Sequence, residues 1–345
     1  MNLYYISRNY KSSNNAASKP KTDCEVVMEN NGFKNLGFKQ TTHASSAIGA
    51  IISFFGITKG LFLLPRKSVL GMQYPLSKFY GYVTTIARIK GCKIILIVHD
   101  VKSLMGKAKS IEKEMQKFSK ADVLIAHNDA MQKWFLDNGY QGKIVPLYLF
   151  DYLSFDEELE TGLLDSNEEH KIVFAGGLGK EKSAFIYKMD NFKNRNFTLK
   201  LYGNGFQKKE VNPNNSVINY QGVFSPDAVV KEIKGNFGLV WNGNSVEECA
   251  GDFGKYLLYN NPHKTSLYIL CGLPILVWEK AAIAKFITSN KLGIAINTLE
   301  EVDEKLKYLS KEEYKEMTDN VALTRKKIME GGFLSEALKK ALEII

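Results

Sequence analysis

Cysteine is scarce in this chain. Its four cysteines, Cys24, Cys92, Cys249 and Cys271, lie far apart and form no CxxC pair. That spacing argues against a disulfide framework or a zinc knot and fits a reducing cytoplasm. The opening, MNLYYISRNYKSS, lacks the basic-then-apolar order of a secretory signal. Several catalytic signatures are also missing. No G-x-G-x-x-G follows the opening strand, which speaks against a dinucleotide dehydrogenase. There is no D-x-D for a metal–diphosphate site and no H-E-x-x-H for a zinc hydrolase. Without G-x-S-x-G there is no esterase elbow. The expectation is an enzyme without a metal or other cofactor.

What is present is ordinary globular composition, 45% hydrophobic and 24% charged over 345 residues, enough for two domains with separate cores. The formal charge is +9. A nucleotide, a lipid phosphate or a membrane surface would suit it, and so would no anionic partner at all. Lysines are interspersed with acids and no motif supports nucleic-acid binding. Residues 45–64, SSAIGAIISFFGITKGLFLL, approach the length of a membrane span but carry Lys59 and three glycines. They read as a buried helix, a Lys-Gly turn and a strand LFLL, with a membrane-surface helix as the alternative.

The rest alternates short strands with helical stretches. In the first half, LYYIS, CKIILIVHD and DVLIAH are apolar runs of the kind found in buried parallel strands. Residues 154–170 are acidic and weakly patterned, and read as a linker between residues 1–153 and a second domain over 171–320, with a closing helix at 321–345. The second domain restarts the pattern with KIVFAGG, FTLKLYGNG, GLVWNG and PILVW. Two βαβα series predict an α/β protein with two doubly wound parallel sheets facing each other, and ligands at the carboxyl ends of their strands in an interdomain cleft.

Two segments suit a phosphate held without a metal. In YNNPHKTSLYILCGLP, Asn261 suits a helix cap and Pro262 a first helical position, with Gly272 and Pro274 as the stop. His263, Lys264, Thr265 and Ser266 then crowd donors and basic charge onto an end that is already positive, which favours an anion there. The plain alternative is a capped core helix with a solvated Lys264. The turn AGGLGKEKS carries Gly176, Gly177, Gly179, Lys180 and Lys182, and is as readily a simple turn. In the first half, His99 and Asp100 end a strand where a base could take a proton from a hydroxyl. Asp23, at a helix start, is a second candidate base; His127 and Asp129 read mostly as a helix cap.

FAGGLGKEKSAFIY together with FGLVWNGNSVEECAGDFGKYLLYNNPHKTSLYILCGLPILVWEKAAIAKFI resembles the bacterial galactofuranosyltransferases of O-antigen and capsule assembly. IVHD, AHND and LFDYL extend the likeness through the first half. The glucosyltransferases that extend glycans on serine-rich adhesins are similar in the same segment. The resemblance implies a GT-B fold, a uridine-diphosphate sugar donor held by the C-terminal domain, and no metal requirement. It implies donor contacts at Lys180 with Gly177, at Asn261, His263 and Lys264, and Tyr202 and Val223 beside the uracil. Lys180 stands where relatives can carry arginine, keeping the charge without bidentate geometry.

The function so implied is transfer of galactofuranose, with inversion, to a growing surface glycan, with Asp100 as base ahead of Asp23. The acceptor would be lipid-linked, with the enzyme cytoplasmic or peripheral at the inner face of the membrane, alone or as a homo-oligomer. One alternative is a UDP-glucose-dependent enzyme acting on a protein-linked glycan; another is a non-catalytic sugar-nucleotide-binding subunit.

Overall fold

A computed structural model describes residues 1–10, 18–76, 78–108, 110–154, 169–192 and 195–345. The chain divides into two compact units, Met1–Leu153 with Gly331–Ile345, and Ser154–Glu330. The predicted linker lies, apart from its ends, outside the described residues. His170, at its far end, already belongs to a strand.

The strands of unit 1 are β1 (Leu3–Tyr5), β2 (Asn9–Tyr10), β3 (Lys34–Asn35), β4 (Thr41–Thr42), β5 (Val69–Tyr74), β6 (Lys93–Val98), β7 (Val123–Ala126) and β8 (Lys143–Pro146). Its helices are α1 (Lys19–Asn30), α2 (Ser46–Leu63), α3 (Tyr80–Ile89), α4 (Ile111–Phe118) and α5 (Asp129–Asp137). Six strands form one parallel sheet in the order β3-β1-β5-β6-β7-β8, and β2 pairs with β4. In β6, Ile94 to Val98 are fully buried, as are all four residues of β7. A central parallel strand is covered on both faces, so its sequence reads as a continuous apolar run.

Unit 2 contains β9 (His170–Ala175), β10 (Phe197–Tyr202), β11 (Ile218–Gly222), β12 (Phe237–Val240), β13 (Ile275–Trp278) and β14 (Gly293–Ile296). Between them lie α6 (Lys180–Ser183), α7 (Phe185–Lys188), α8 (Pro226–Glu232), α9 (Gly251–Tyr256), α10 (His263–Leu270) and α11 (Ala284–Ser289), followed by α12 (Val302–Lys307) and α13 (Lys311–Met329). The parallel order is β11-β10-β9-β12-β13-β14. Strand order reverses between β9 and β12, and such a reversal opens a crevice at the carboxyl ends of the two strands.

Three sequence expectations change here. Residues 61–64 are not a strand: α2 runs unbroken through Lys59 and Gly60 to Leu63, and Leu64 is its C-cap. Gly60 faces inward, where a Cβ would press on the Ile6 side chain, so packing rather than a turn requires the glycine. Nor is α2 a buried helix, because only a third of it is covered. The tail is two helices, not one. Gly331, at φ +75°, separates α13 from α14 (Gly332–Ile344), and α14 belongs to unit 1. There the Asp151 carboxylate accepts from the backbone amides of Phe333 (3.1 Å) and Leu334 (2.8 Å), a buried anion on a helix N-terminus.

Candidate functional site

In unit 2 the carboxyl edge of the sheet is knitted by glycine turns. Gly176 donates its amide to Tyr202 O, Gly203 to Gly222 O, and Gly243 to Lys182 O. Gly203 has φ +138°, and a Cβ there would overlap the Gly176 carbonyl. No other residue lets these two loops approach so closely.

Helix α10 crosses from β12 to β13, with its N-terminus beside the reversal point. Lys264, in its first turn, is only 8% exposed. Helical side chains lean back toward the N-terminus, and this one reaches the strand ends. Its Nζ donates to Trp241 O (3.3 Å) and Asn242 Oδ1 (3.1 Å), just beyond β12, and sits 3.8 Å from the Phe174 ring centroid in β9. Burial drives the ammonium well below the ordinary lysine range; the nearby Lys182 charge pushes the same way, and Cys249 opposes it. Among the described residues no carboxylate forms an ion pair with Lys264. A buried lysine with a second cation beside it and no acid is an electrostatic debt that a bound anion settles. Thr265 Oγ1, also buried in this turn, has no hydrogen-bond partner among the described residues.

Two glycine- and tyrosine-based contacts fix α10 in place. Tyr268 accepts the Ala175 amide at 2.8 Å on its hydroxyl. Its ring lies over Gly238 in β12, where a Cβ would overlap it.

In unit 1 the matching strand ends carry polar side chains. His99 is buried, with Nε2 2.7 Å from Gln73 Oε1 and its ring stacked on Phe150 (5.4 Å, 14°). Gln73 in turn donates Nε2 to Lys21 O (3.0 Å). Asp100, half-buried, follows His99, and its charge raises the affinity of Lys21 for its proton against the larger effects of burial and Arg8. The loop after Asp100 is held by the buried Glu114 carboxylate, which accepts from the amides of Lys102 (3.0 Å) and Ser103 (2.7 Å) and from Tyr74 Oη (2.7 Å). Arg8 Nη1 donates to Pro75 O (3.3 Å) at the end of β5. A small cavity of about 30 Å³ is lined by Arg8, Glu25 and Gln73 among others.

Residues 3–149 and 172–341 match the N- and C-terminal domains of the family described as glucosyltransferase 3-like. The chain is 30% identical over 344 residues to the beta-1,6-galactofuranosyltransferase WbbI of Escherichia coli K12, spanning 99% of this chain and 98% of the relative. It is 25% identical over 353 residues to glucosyltransferase 3 of Streptococcus parasanguinis, spanning 99% and 98%. The chain is a glycosyltransferase of the glucosyltransferase 3-like family. Its GT-B fold is similar to that of sucrose-phosphate synthase from Thermosynechococcus elongatus (TM-score 0.62, 10% identity, 99% and 98% of the two chains). T4 phage BGT in complex with its UDP-glucose substrate is also similar (TM-score 0.53, 13% identity, 99% of each).

In this glycosyltransferase the helix start differs in detail from the sequence expectation. The cap is Pro262 rather than Asn261, with extended ψ 139°, so His263 opens the helix. The Thr265 amide is engaged by Pro262 O (2.9 Å) and does not point out. Asn261 and Ser266 are buried, and Lys264 is not solvated. Lys180 is half-exposed and ion-paired with Glu210, and the cation felt by Lys264 is Lys182. Gly177 accepts from Ser183 Oγ (2.7 Å) at the α6 turn. Tyr202 is buried, its hydroxyl donating to Glu232 O (3.2 Å), whereas Val223 is 62% exposed in the following turn.

Asp23 has a structural task. It pairs with Lys19 (2.7 Å) and accepts the Leu153 amide (3.0 Å), while Lys19 donates to Leu153 O (2.8 Å). His127 donates Nε2 to Val98 O (3.0 Å), and Asn128, not His127 or Asp129, caps α5 through the Met131 amide. Sequence reasoning passed over Lys21 and Arg8, and took Trp241 and Asn242 only as part of the polar turn WNGNS at a strand end. Among the described residues, no group of three or more His, Cys, Asp and Glu side chains could hold a metal ion.

Proposed function

We propose that this glycosyltransferase moves galactofuranose from UDP-galactofuranose to a hydroxyl of a growing surface glycan, without a metal and with inversion. One observation carries the donor half: Lys264, buried with Lys182 nearby and lacking an acidic partner among the described residues, at a helix start beside the strand-order reversal. The diphosphate would take the place of the missing anion, and these lysines with the helix amides would stabilise charge on the leaving group. Asp100 is the proposed base, since Asp23 is consumed by Lys19 and Leu153. The sugar follows from the full-length likeness to the E. coli enzyme. The acceptor proposed is a lipid-linked glycan at the cytoplasmic face of the membrane.

The test is calorimetric titration of UDP in EDTA, followed by turnover with UDP-galactofuranose. Metal-free binding that weakens at least tenfold in Lys264→Met, about 1.4 kcal/mol, supports the reading. Equal binding by the variant overturns it. The family match and the streptococcal relative favour a second reading, a glucosyl donor. Competition between UDP-glucose and UDP-galactofuranose for turnover separates the two.

A further inference from the structure

The positive charge of this protein is not spread evenly. From Asn30 to His99 there are nine Lys and Arg and not one Asp or Glu. Setting those nine aside leaves 37 basic residues against 37 acidic ones, so this single stretch holds the entire net charge of +9. It also holds α2, whose polarity is inverted for a helix on a soluble protein. Gly49, Gly56 and Gly60 face inward with Ser53, Ile57 and Leu61. Ile51 (58%), Phe55 (58%) and Phe62 (84%) face outward with Ile48 and Phe54. The spacing of 48, 51, 55 and 62 puts these side chains on one stripe. A helix apolar on all sides is normally covered on all sides or set in lipid.

The cations are placed around that stripe. Lys59 is exposed on α2 itself and lies 5.4 Å over Phe38, next to Lys39. Arg66 and Lys67 are exposed just beyond the helix end. Phe54 packs on Phe79 (6.3 Å), adjacent to exposed Lys78, and on Tyr82 (6.3 Å). Lys90 Nζ caps the helix, donating to the carbonyls of Leu61 (2.7 Å), Phe62 (3.0 Å) and Leu64 (2.7 Å).

We propose that the outer face of α2 docks on an anionic lipid bilayer, with Ile51, Phe55 and Phe62 among the acyl chains and Lys59, Arg66 and Lys67 at the headgroup phosphates. The helix is long and apolar enough to span. Its glycine face, however, is built into unit 1, so it lies along the interface instead. An unbroken run of cations with no acid selects an anionic surface over a neutral one. This surface is independent of the sugar-nucleotide site.

Flotation of the full chain with vesicles tests it, using phosphatidylcholine alone and with about one-third phosphatidylglycerol. Wild type should bind the anionic vesicles and lose binding as salt rises. Ile51→Ser/Phe55→Ser/Phe62→Ser should bind at least tenfold more weakly, and Lys59→Glu/Arg66→Glu should lose the preference for anionic lipid. Both variants should bind UDP as wild type does, which shows that they are folded and keeps this test separate from the donor assignment. Absence of wild-type binding to anionic vesicles overturns the proposal, as does undiminished binding by the triple variant. A wild-type dimer in sedimentation that the triple variant dissolves would assign the face to a second copy of the chain, and would also overturn it.

Discussion

Lys264 Nζ lies 3.8 Å from the centre of the Phe174 ring, a cation held against an aromatic face with no carboxylate among the described residues paired to it. Cation–π attraction and two carbonyl acceptors offset only part of the cost of burying this charge. Stability and donor binding should therefore separate at this residue. Lys264→Met should raise the stability of the unliganded protein by about 1 kcal/mol or more, since an apolar chain of similar length fits the same space. The same change should weaken UDP at least tenfold. Thermal melts with and without UDP check both; a variant that melts lower and binds UDP normally contradicts the account.

The two candidate bases should divide in the same manner. Asp100→Asn should lower turnover by about a hundredfold or more. Asp23→Asn should cost about 2 kcal/mol of stability, because Lys19 and the Leu153 amide lose their shared partner, with UDP affinity intact. Turnover that survives Asp100→Asn removes that residue from the mechanism.

Gly238→Ala should be severe for so small a change. The new methyl overlaps the Tyr268 ring, and the far end of that ring is tied to Ala175. A loss of about 3 kcal/mol is expected, with weaker UDP binding as α10 is displaced. Denaturant unfolding and UDP titration of one preparation would check it, and a silent substitution would show that α10 is not fixed by this contact.

Two buried groups in unit 1 oppose one another with pH. Burial lowers His127 to about 4 from its ordinary 6.5, partly offset by its bonds to backbone carbonyls. Stability from this group is present above pH 6.5 and is lost as pH falls toward 4. Burial raises Glu25 from 4.5 to about 6, against hydrogen bonds from Ser7 and Tyr10. Its contribution is present below pH 4.5 and is lost as pH rises through 6. Each is worth about 2–3 kcal/mol, with opposite sign. Relative to wild type, His127→Gln should gain stability on going from pH 6.5 to 4.5, and Glu25→Gln should lose more. Identical pH profiles for all three proteins would contradict both assignments.

The strand runs CKIILIVHD and KIVFAGG were legible because parallel strands covered on both faces admit few polar residues. Lys264 stood out in the sequence from the misfit of basic charge at a helix start, yet its burial was not legible, since lysine is ordinarily exposed. The same misfit occurs in SKPKTD, where Pro20 and Lys21 stand in the first turn of α1. From the residues alone Lys180 and Lys182 could not be ranked; the structure pairs Lys180 with Glu210 and sets the Lys182 charge near Lys264. For α2 the local signal was outweighed by tertiary packing: Lys59-Gly60 reads as a turn until Ile6 is seen against Gly60.

The closing helix α14 gives unit 1 an unusual schedule during synthesis. Its N-terminus is anchored on Asp151, and Gly331 is packed so closely on Val27 that a Cβ would collide with it. Domains generally fold as units while the chain emerges. Here every strand of the first unit leaves the ribosome before any strand of the second, yet the first still lacks a wall when the second is fully made. The unit begun first is the unit finished last, and a ribosome that stalls before residue 331 releases a chain whose fault lies at its beginning.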